Sequence, residues 1–177
     1  HSVRTIDECV EASQKDVTIA TGLLESRWLL GESAIFHRLQ QRFKAEFNPA
    51  SFYRAKALEY KQRHARYADT PYALEPNCKE SPGGIRDIQL IHWIARAAGI
   101  KPSWHRLVSV GLMRDNEALQ MKAAESNYQR LRIELHLLNR KNDDRLLFDV
   151  QIALAREFGI QPEASKRASE VLMQRYY

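Results

Sequence analysis

Residues that break regular structure are scarce in this sequence, and so is cysteine. Among 177 residues there are seven glycines, six prolines and two cysteines. Cys9 and Cys78 lie far apart and match no spacing of metal ligands, which favours two inert thiols in a reduced, cytoplasmic setting. No apolar run approaches the roughly 18 residues that a helix needs to cross a bilayer. We therefore predict a chain without membrane-spanning segments and without a cysteine-based metal site.

The sequence also lacks the motifs of a complete catalytic site. Nucleotidyl transfer needs carboxylates that hold magnesium against phosphates, commonly as Asp-x-Asp, and this pattern does not occur. A Walker loop, a His-Asp dipeptide, His-Glu-x-x-His and Gly-x-Ser-x-Gly are absent as well. Asp143 and Asp144 stand where a helix should begin, which favours a helix N-cap. We expect no catalytic residue, no metal ligand and no cofactor in this chain.

Composition and charge are those of an ordinary globular chain. Hydrophobic residues make up 44% and charged residues 28% of the sequence, so neither disorder nor a fibrous repeat is favoured. The length suits a single domain over residues 1–177. The start, His1 to Thr5, has neither an initiator methionine nor the apolar core of a secretory signal, so we expect a fragment of a longer chain or a processed end. A net charge of +5 suits an anionic partner such as a nucleotide, nucleic acid or acidic protein surface.

Helix-capping residues and apolar spacings of three and four recur along the chain. Thr5 with Glu8 has the spacing of a capping box, and Asn48-Pro49 is typical of a helix start. The expected helices span about residues 5–15, 16–31, 32–47, 48–68, 85–99, 104–110, 115–140, 144–158 and 162–177. No segment alternates in the manner of a strand. The sequence therefore predicts an all-α fold, an antiparallel helical bundle.

The one long predicted loop ends in two glycines ahead of a helix. Gly83 and Gly84 would let the backbone approach a ligand and leave free amides at the positive end of the helix dipole, a geometry suited to phosphate or carboxylate. Lys79 and Arg86 would add positive charge, which makes these four residues a candidate anion-binding set. The alternative is a tight turn with structural ion pairs among Glu80, Arg86 and Asp87.

The predicted fourth helix carries an excess of basic residues over the single acid Glu59. Its tyrosines fall at spacings of three and four and are expected to face inward. The basic residues would then face solvent or an acidic partner. The candidate docking residues are Arg54, Lys61, Arg63 and Arg66. Nucleic-acid binding is a weaker alternative, because the tyrosines keep the spacing of a helix core.

The run from Leu74 to Gln89, Leu-Glu-Pro-Asn-Cys-Lys-Glu-Ser-Pro-Gly-Gly-Ile-Arg-Asp-Ile-Gln, resembles the signature of the bifunctional uridylyltransferase/uridylyl-removing enzymes of the PII nitrogen-signalling protein. Cys78 and Ser81 stand at positions where that family varies. Further matches lie at 1–5, 63–64, 144–149 and 173–177. Glutamine-synthetase adenylyltransferases share a shorter Gly-Gly-Ile-Arg pattern and are the close competitor.

The resemblance implies a helical domain, similar to the substrate-binding domains of nucleotidyltransferases, within a larger multidomain enzyme. Such enzymes carry Gly-Ser and Asp-x-Asp in a nucleotidyltransferase head, and a His-Asp hydrolase domain follows the helical domain. The parent reaction joins UMP from UTP to a tyrosine of PII and uses magnesium. The resemblance thus implies that residues 79–86 close one side of the nucleotide cleft and that the isolated chain is inactive. A non-catalytic module that docks PII or the neighbouring domains is the alternative.

Overall fold

The computed structural model describes residues 3–177, and the family match at His1 and Ser2 lies outside this range. Nine helices lie within it: α1 (Ile6–Lys15), α2 (Val17–Glu25), α3 (Ser33–Glu46), α4 (Pro49–Ala65), α5 (Ile85–Ala97), α6 (Trp104–Ser109), α7 (Asp115–Asn139), α8 (Phe148–Glu157) and α9 (Ala168–Tyr176). No strand occurs in the described range, so the predicted all-α class is confirmed. None of these helices is both long and apolar enough to cross a membrane.

Local capping signals predicted several helix starts correctly. The Thr5 side chain accepts from the amide of Glu8, and the Glu8 carboxylate accepts from the amide of Thr5, which forms the expected capping box. Asp16 caps α2 by accepting from the amide of Thr18 at 2.7 Å. These contacts join residues two or three positions apart, so these helix starts can be predicted from the sequence alone.

Two predicted boundaries are wrong by about six residues. α2 ends at Glu25 rather than near Gly31, because Ser26 is extended and its hydroxyl donates to the carbonyl of Leu23. α9 begins at Ala168 rather than at Pro162. The cause is a turn in which Glu163 and Lys166 exchange two backbone hydrogen bonds of 3.0 and 3.1 Å.

The described chain divides into two compact units. The first comprises the residues up to Glu59 together with Leu90–Ser103. In it α1 packs against α2 and α3, and Arg96 donates to the carbonyl of Leu24 at 2.8 Å. Part of its core is formed by Ala20, Phe52, Trp93 and Ala97.

Lys56 is buried in the first unit, with only 3% of its surface exposed. Its Nζ atom lies 2.9 Å from Oε2 of Glu59 and 4.3 Å from the centroid of the Trp93 ring. A buried ammonium group needs an opposite charge, and the face of an indole ring adds a cation–π attraction. The prediction that the basic residues of α4 face solvent is therefore wrong for Lys56.

The second unit comprises Tyr60–Gln89 and Trp104–Tyr177. α7 packs against α6 and α8, and α8 packs against α9. The largest fully buried side chains here include Leu135, Leu146 and Leu154, which belong to one hydrophobic core with Cys78. The loop that precedes α5 is therefore anchored in this core by one of its own residues.

Candidate functional site

The glycine loop, residues 74–84, belongs to the second unit and leads into α5. Its middle is a turn held by its own side chains. The Asn77 carboxamide oxygen accepts from the amides of Lys79 and Glu80 at 3.0 and 2.9 Å. The Ser81 hydroxyl accepts from the amide of Asn77 at 2.9 Å. Because short polar side chains satisfy these amides, the turn keeps one shape without a ligand.

The two glycines serve different purposes. Gly83 is exposed and has φ +80°, a left-handed conformation that side chains other than glycine rarely adopt. Gly84 is buried, and a Cβ atom there would lie 2.9 Å from the carbonyl oxygens of Lys79 and Ser81. Gly83 is thus required for backbone direction, and Gly84 is required because the loop folds tightly around it.

The amides at the start of α5 already have acceptors within the unit. Gly83 donates to Oδ2 of Asp87 at 2.8 Å, and Gly84 donates to the carbonyl of Ser81 at 2.9 Å. The next two amides, of Ile85 and Arg86, donate to loop carbonyls at 3.1 Å. The expectation of free amides is therefore wrong, since the turn folds back and its own oxygens satisfy the helix start. Nucleotide binding by this segment remains a prediction based on side-chain charge.

Arg63, at the end of α4, is buried beneath this loop, with 5% of its surface exposed. It donates to the carbonyl of Glu80 at 2.9 Å and to Oδ1 of Asp87 at 2.5 Å. Nε2 of His64 lies 3.1 Å from both oxygens of the same Asp87 carboxylate. Arg63 was predicted to face solvent or an acidic partner. It is buried instead, because Asp87, 24 positions further along the chain, pairs with it.

Lys79 and Glu80 of the loop form a partly exposed charged cluster with Arg86 in the first turn of α5. Oε1 of Glu80 lies 3.2 Å from Nη2 of Arg86 and 3.8 Å from Nζ of Lys79. The exposed fractions of these side chains lie between 26% and 32%. The ion pair between Glu80 and Arg86, predicted as the structural alternative, is present. Lys79 and Arg86 both lie within 4 Å of Glu80, so the structure brings these two predicted site residues close together.

Two backbone hydrogen bonds join the glycine loop to the segment between α7 and α8. Cys78 donates to the carbonyl of Asp144 at 2.9 Å, and Leu146 donates to the carbonyl of Pro76 at 2.8 Å. Cys78 is fully buried, and this burial raises the pKa of its thiol to about 12. Because the thiolate is the reactive form, Cys78 is an inert core residue, as predicted.

Asp144 was predicted to cap α8, but the structure gives it another role. α8 begins only at Phe148, and Asp144 is 9% exposed. Its Oδ1 accepts from Nε of Arg132 at 2.8 Å and lies 2.8 Å from Nε2 of His136. Burial opposes ionisation of this carboxyl, but the bonds from Arg132 and His136 outweigh it and lower the pKa of Asp144. The spacing of Arg132 and His136 on one helix face was the missed signal.

Tyr128 connects the loop with a neighbouring cleft of the same unit. Its hydroxyl donates to the carbonyl of Gly83 at 2.9 Å. Beside it lies a cleft of about 380 Å³ that is also lined by Tyr176 and two arginines, Arg130 and Arg175. This cleft could not be predicted from the sequence, since its residues come from four separate segments.

The other predicted docking residues are at the surface, Arg54 and Lys61 in α4 and Arg66 one residue beyond its end. Arg54, Lys61 and Arg66 are exposed, and Arg54 donates to the hydroxyl of Ser51 at 3.2 Å. Tyr53, expected to face inward, is 57% exposed. The prediction that Tyr53 faces inward is therefore wrong. Two charged residues of the same helix, Lys56 and Arg63, are buried while Tyr53 is exposed.

A donor set for a metal ion is not found among residues 3–177, where no group of three or more His, Cys, Asp or Glu side chains is suitably placed. The two buried or half-buried carboxylates described above, Asp87 and Asp144, are each engaged by cationic or imidazole groups. These residues do not fit a magnesium site, and no step is assigned to magnesium in this chain.

Comparison with known proteins gives consistent results. The family model described as GlnD PII-uridylyltransferase matches residues 51–177. Bifunctional uridylyltransferase/uridylyl-removing enzymes from Bordetella parapertussis, Cupriavidus metallidurans and Burkholderia mallei are 54%, 51% and 49% identical over 99–100% of this chain. The chain spans about a fifth of the length of these relatives, 20% in each case. No solved structure matches significantly.

The resemblance had left two related families open. The matched region includes the whole glycine loop and the Arg63–Asp87 pair beneath it. The identities of about one half extend over the whole chain and not only over the shared Gly-Gly-Ile-Arg pattern. The chain therefore belongs to the GlnD PII-uridylyltransferase family.

Proposed function

We propose that this chain is the helical part of a PII uridylyltransferase and that its glycine loop forms one rim of the UTP cleft. Lys79 and Arg86 bind triphosphate oxygens, and the glycine turn holds them in position. The carboxylates and the magnesium ion for UMP transfer to a PII tyrosine are supplied by a nucleotidyltransferase head elsewhere in the parent protein. The chain alone is then inactive. The parent enzyme acts in the bacterial cytoplasm.

The observation that carries this proposal is the meeting of two partly exposed cations, one on the glycine loop and one in the first turn of α5. Lys79 and Arg86 lie within 4 Å of one acid, and the loop beneath them is satisfied by its own hydrogen bonds. Positioned positive charge is the main requirement of phosphoryl and nucleotidyl transfer. The contribution of this chain is therefore positioning and charge neutralisation.

Steady-state kinetics of the full-length protein test the proposal. Lys79→Ala and Arg86→Ala should each raise the KM for UTP about tenfold, because a hydrogen bond to a charged group is worth about 1.5 kcal/mol or more. The matched control is Lys44→Ala, which removes an exposed lysine of α3 in the first unit. If both variants keep a KM for UTP within twofold of the wild-type value, Lys79 and Arg86 do not line the UTP cleft.

Inactivity of the isolated chain is tested separately. We expect no transfer of labelled UMP to PII when residues 1–177 are incubated with UTP and magnesium, and activity when the full-length protein is used. Transfer by the short chain alone would show that it holds a complete catalytic site.

A second candidate function is docking of PII or of neighbouring domains on α4. It is supported by the exposure of Arg54 and Lys61 on this helix and of Arg66 just beyond its end. Reversal of charge at these positions should weaken binding of PII, measured by surface plasmon resonance, while UTP binding stays unchanged. Arg63 is left out of this test, because its buried ion pair makes it a structural residue. Unchanged PII binding in the triple variant rejects docking on this face.

A further inference from the structure

Glu80 is the acid shared by the two basic side chains of the proposed UTP rim. Its Oε1 atom lies 3.2 Å from Nη2 of Arg86 and 3.8 Å from Nζ of Lys79. Its Oε2 atom lies 3.9 Å from Nε of Arg63. One carboxylate therefore occupies the place at which a phosphate group would meet the same cations.

The main chain of Glu80 is held at both of its hydrogen-bonding groups. Its amide donates to the Asn77 side chain at 2.9 Å, and its carbonyl accepts from Nη1 of Arg63 at 2.9 Å. The side chain of Glu80 is 30% exposed. A change of its side-chain torsions alone can move the carboxylate into solvent, so the loop does not have to rearrange.

The local charges favour replacement of Glu80 by a more highly charged anion. Arg63 is paired with Asp87 at 2.5 Å, and the carboxylate of Glu80 lies within 4 Å of both Lys79 and Arg86. Attraction grows with the charge of the anion. A polyphosphate should therefore displace the carboxylate, whereas an anion with a single charge should compete poorly.

We propose that Glu80 is an internal counter-ion of the glycine loop, which polyphosphate displaces on binding and which lowers the affinity of Lys79 and Arg86 for any phosphate that must displace it. This inference rests on the proposed function, because it assumes that Lys79 and Arg86 bind phosphate. Glu80 then sets how tightly the loop binds phosphate without contacting the phosphate itself.

Calorimetric titration of the full-length protein with inorganic triphosphate and with inorganic phosphate tests this role. Glu80→Gln keeps the shape of the side chain and removes its charge. Triphosphate binding should tighten about twofold to fivefold, the effect expected for loss of a partly exposed ion pair. Phosphate binding should tighten by a similar factor, because both anions must displace the same carboxylate. The matched control is Glu11→Gln, which removes the same charge from an exposed position of α1 and should change neither affinity.

Lys79→Ala and Arg86→Ala are measured in the same series, so that the two proposals can fail separately. If Lys79→Ala and Arg86→Ala weaken triphosphate binding while Glu80→Gln leaves it unchanged or weaker, the counter-ion role of Glu80 is overturned. The proposal that Lys79 and Arg86 bind phosphate is then retained. If all three leave binding unchanged, the loop is not a phosphate site and both proposals fail. Far-UV circular dichroism confirms folding, and Glu80→Ala replaces Glu80→Gln if the latter does not fold.

Discussion

Arg63 and Asp87 form a charged hydrogen bond of 2.5 Å between the end of α4 and the first turn of α5. The Arg63 side chain is 6% exposed, and the Asp87 side chain is 21% exposed. The same carboxylate accepts the amide of Gly83, and the same guanidinium donates to the carbonyl of Glu80. The pair therefore fixes both ends of the charged part of the glycine loop.

Arg63→Ala should lower the free energy of unfolding by about 3 kcal/mol, because it leaves the Asp87 carboxylate without its buried partner. Urea denaturation followed by circular dichroism measures the change. Arg66→Ala, three residues further along and exposed, is the control and should change stability by about 0.5 kcal/mol or less. Equal effects of the two substitutions would contradict a structural role for the pair.

Gly84→Ala should destabilise the protein more than Gly83→Ala does. The new methyl group at 84 would lie 2.9 Å from two backbone oxygens, whereas at 83 it meets no atom within 4 Å and costs only the left-handed backbone, about 1–2 kcal/mol. Thermal unfolding compares the two. Gly22→Ala, in an open position of α2, should instead stabilise by about 0.5–1 kcal/mol. A Gly84 variant as stable as wild type would mean that the turn is looser than described.

Cys78 should resist alkylation in the folded protein, because it is fully buried and its pKa is raised to about 12 by that burial. Cys9 is less buried and should react first with iodoacetamide at mildly alkaline pH. Mass spectrometry of peptides locates the label over time. Denaturant should make both cysteines reactive, which serves as the control. Rapid labelling of Cys78 in the native protein would show that the loop opens readily.

Asp144 should contribute stability near neutral pH that is lost in acid. Its folded pKa is lowered, so the carboxylate stabilises the fold above the ordinary carboxyl pKa of about 3.9, and the contribution disappears as pH falls through the lower folded value. Asp144→Asn should therefore cost about 1–3 kcal/mol near neutral pH. The difference from wild type should shrink in acid. Asp69→Asn, at an exposed position, is the control and should change stability by about 0.5 kcal/mol or less near neutral pH.

Short-range interactions account for what the sequence predicted well. The capping box of Thr5 and Glu8, the Asp16 cap and the turn around Gly83 depend on residues within a few positions of one another. The all-α class follows from many such local signals. The location of the charged loop was predictable for the same reason, since its glycines and basic residues stand together in the sequence.

Long-range pairing accounts for most of what the sequence did not predict. The burial of Arg63 depends on an acid 24 positions away, and that of Lys56 depends on the Trp93 ring. A prediction from helical periodicity assumes that charged residues are exposed. It therefore assigned Lys56 and Arg63 to the solvent-facing side of α4, although both are buried. Asp144 was assigned to the nearest helix start, whereas its partners Arg132 and His136 lie in the preceding helix.

The backbone bridge between Asn77 and Arg145 constrains the order in which the protein can form during synthesis. The glycine loop leaves the ribosome well before Asp144 and Leu146, which supply its backbone partners. Contacts between such distant segments form late, because the intervening chain must first be made and ordered. A nascent chain that stops before Asp144 therefore lacks the backbone partners of Pro76 and Cys78, and the loop is joined to them only after α7 has been translated.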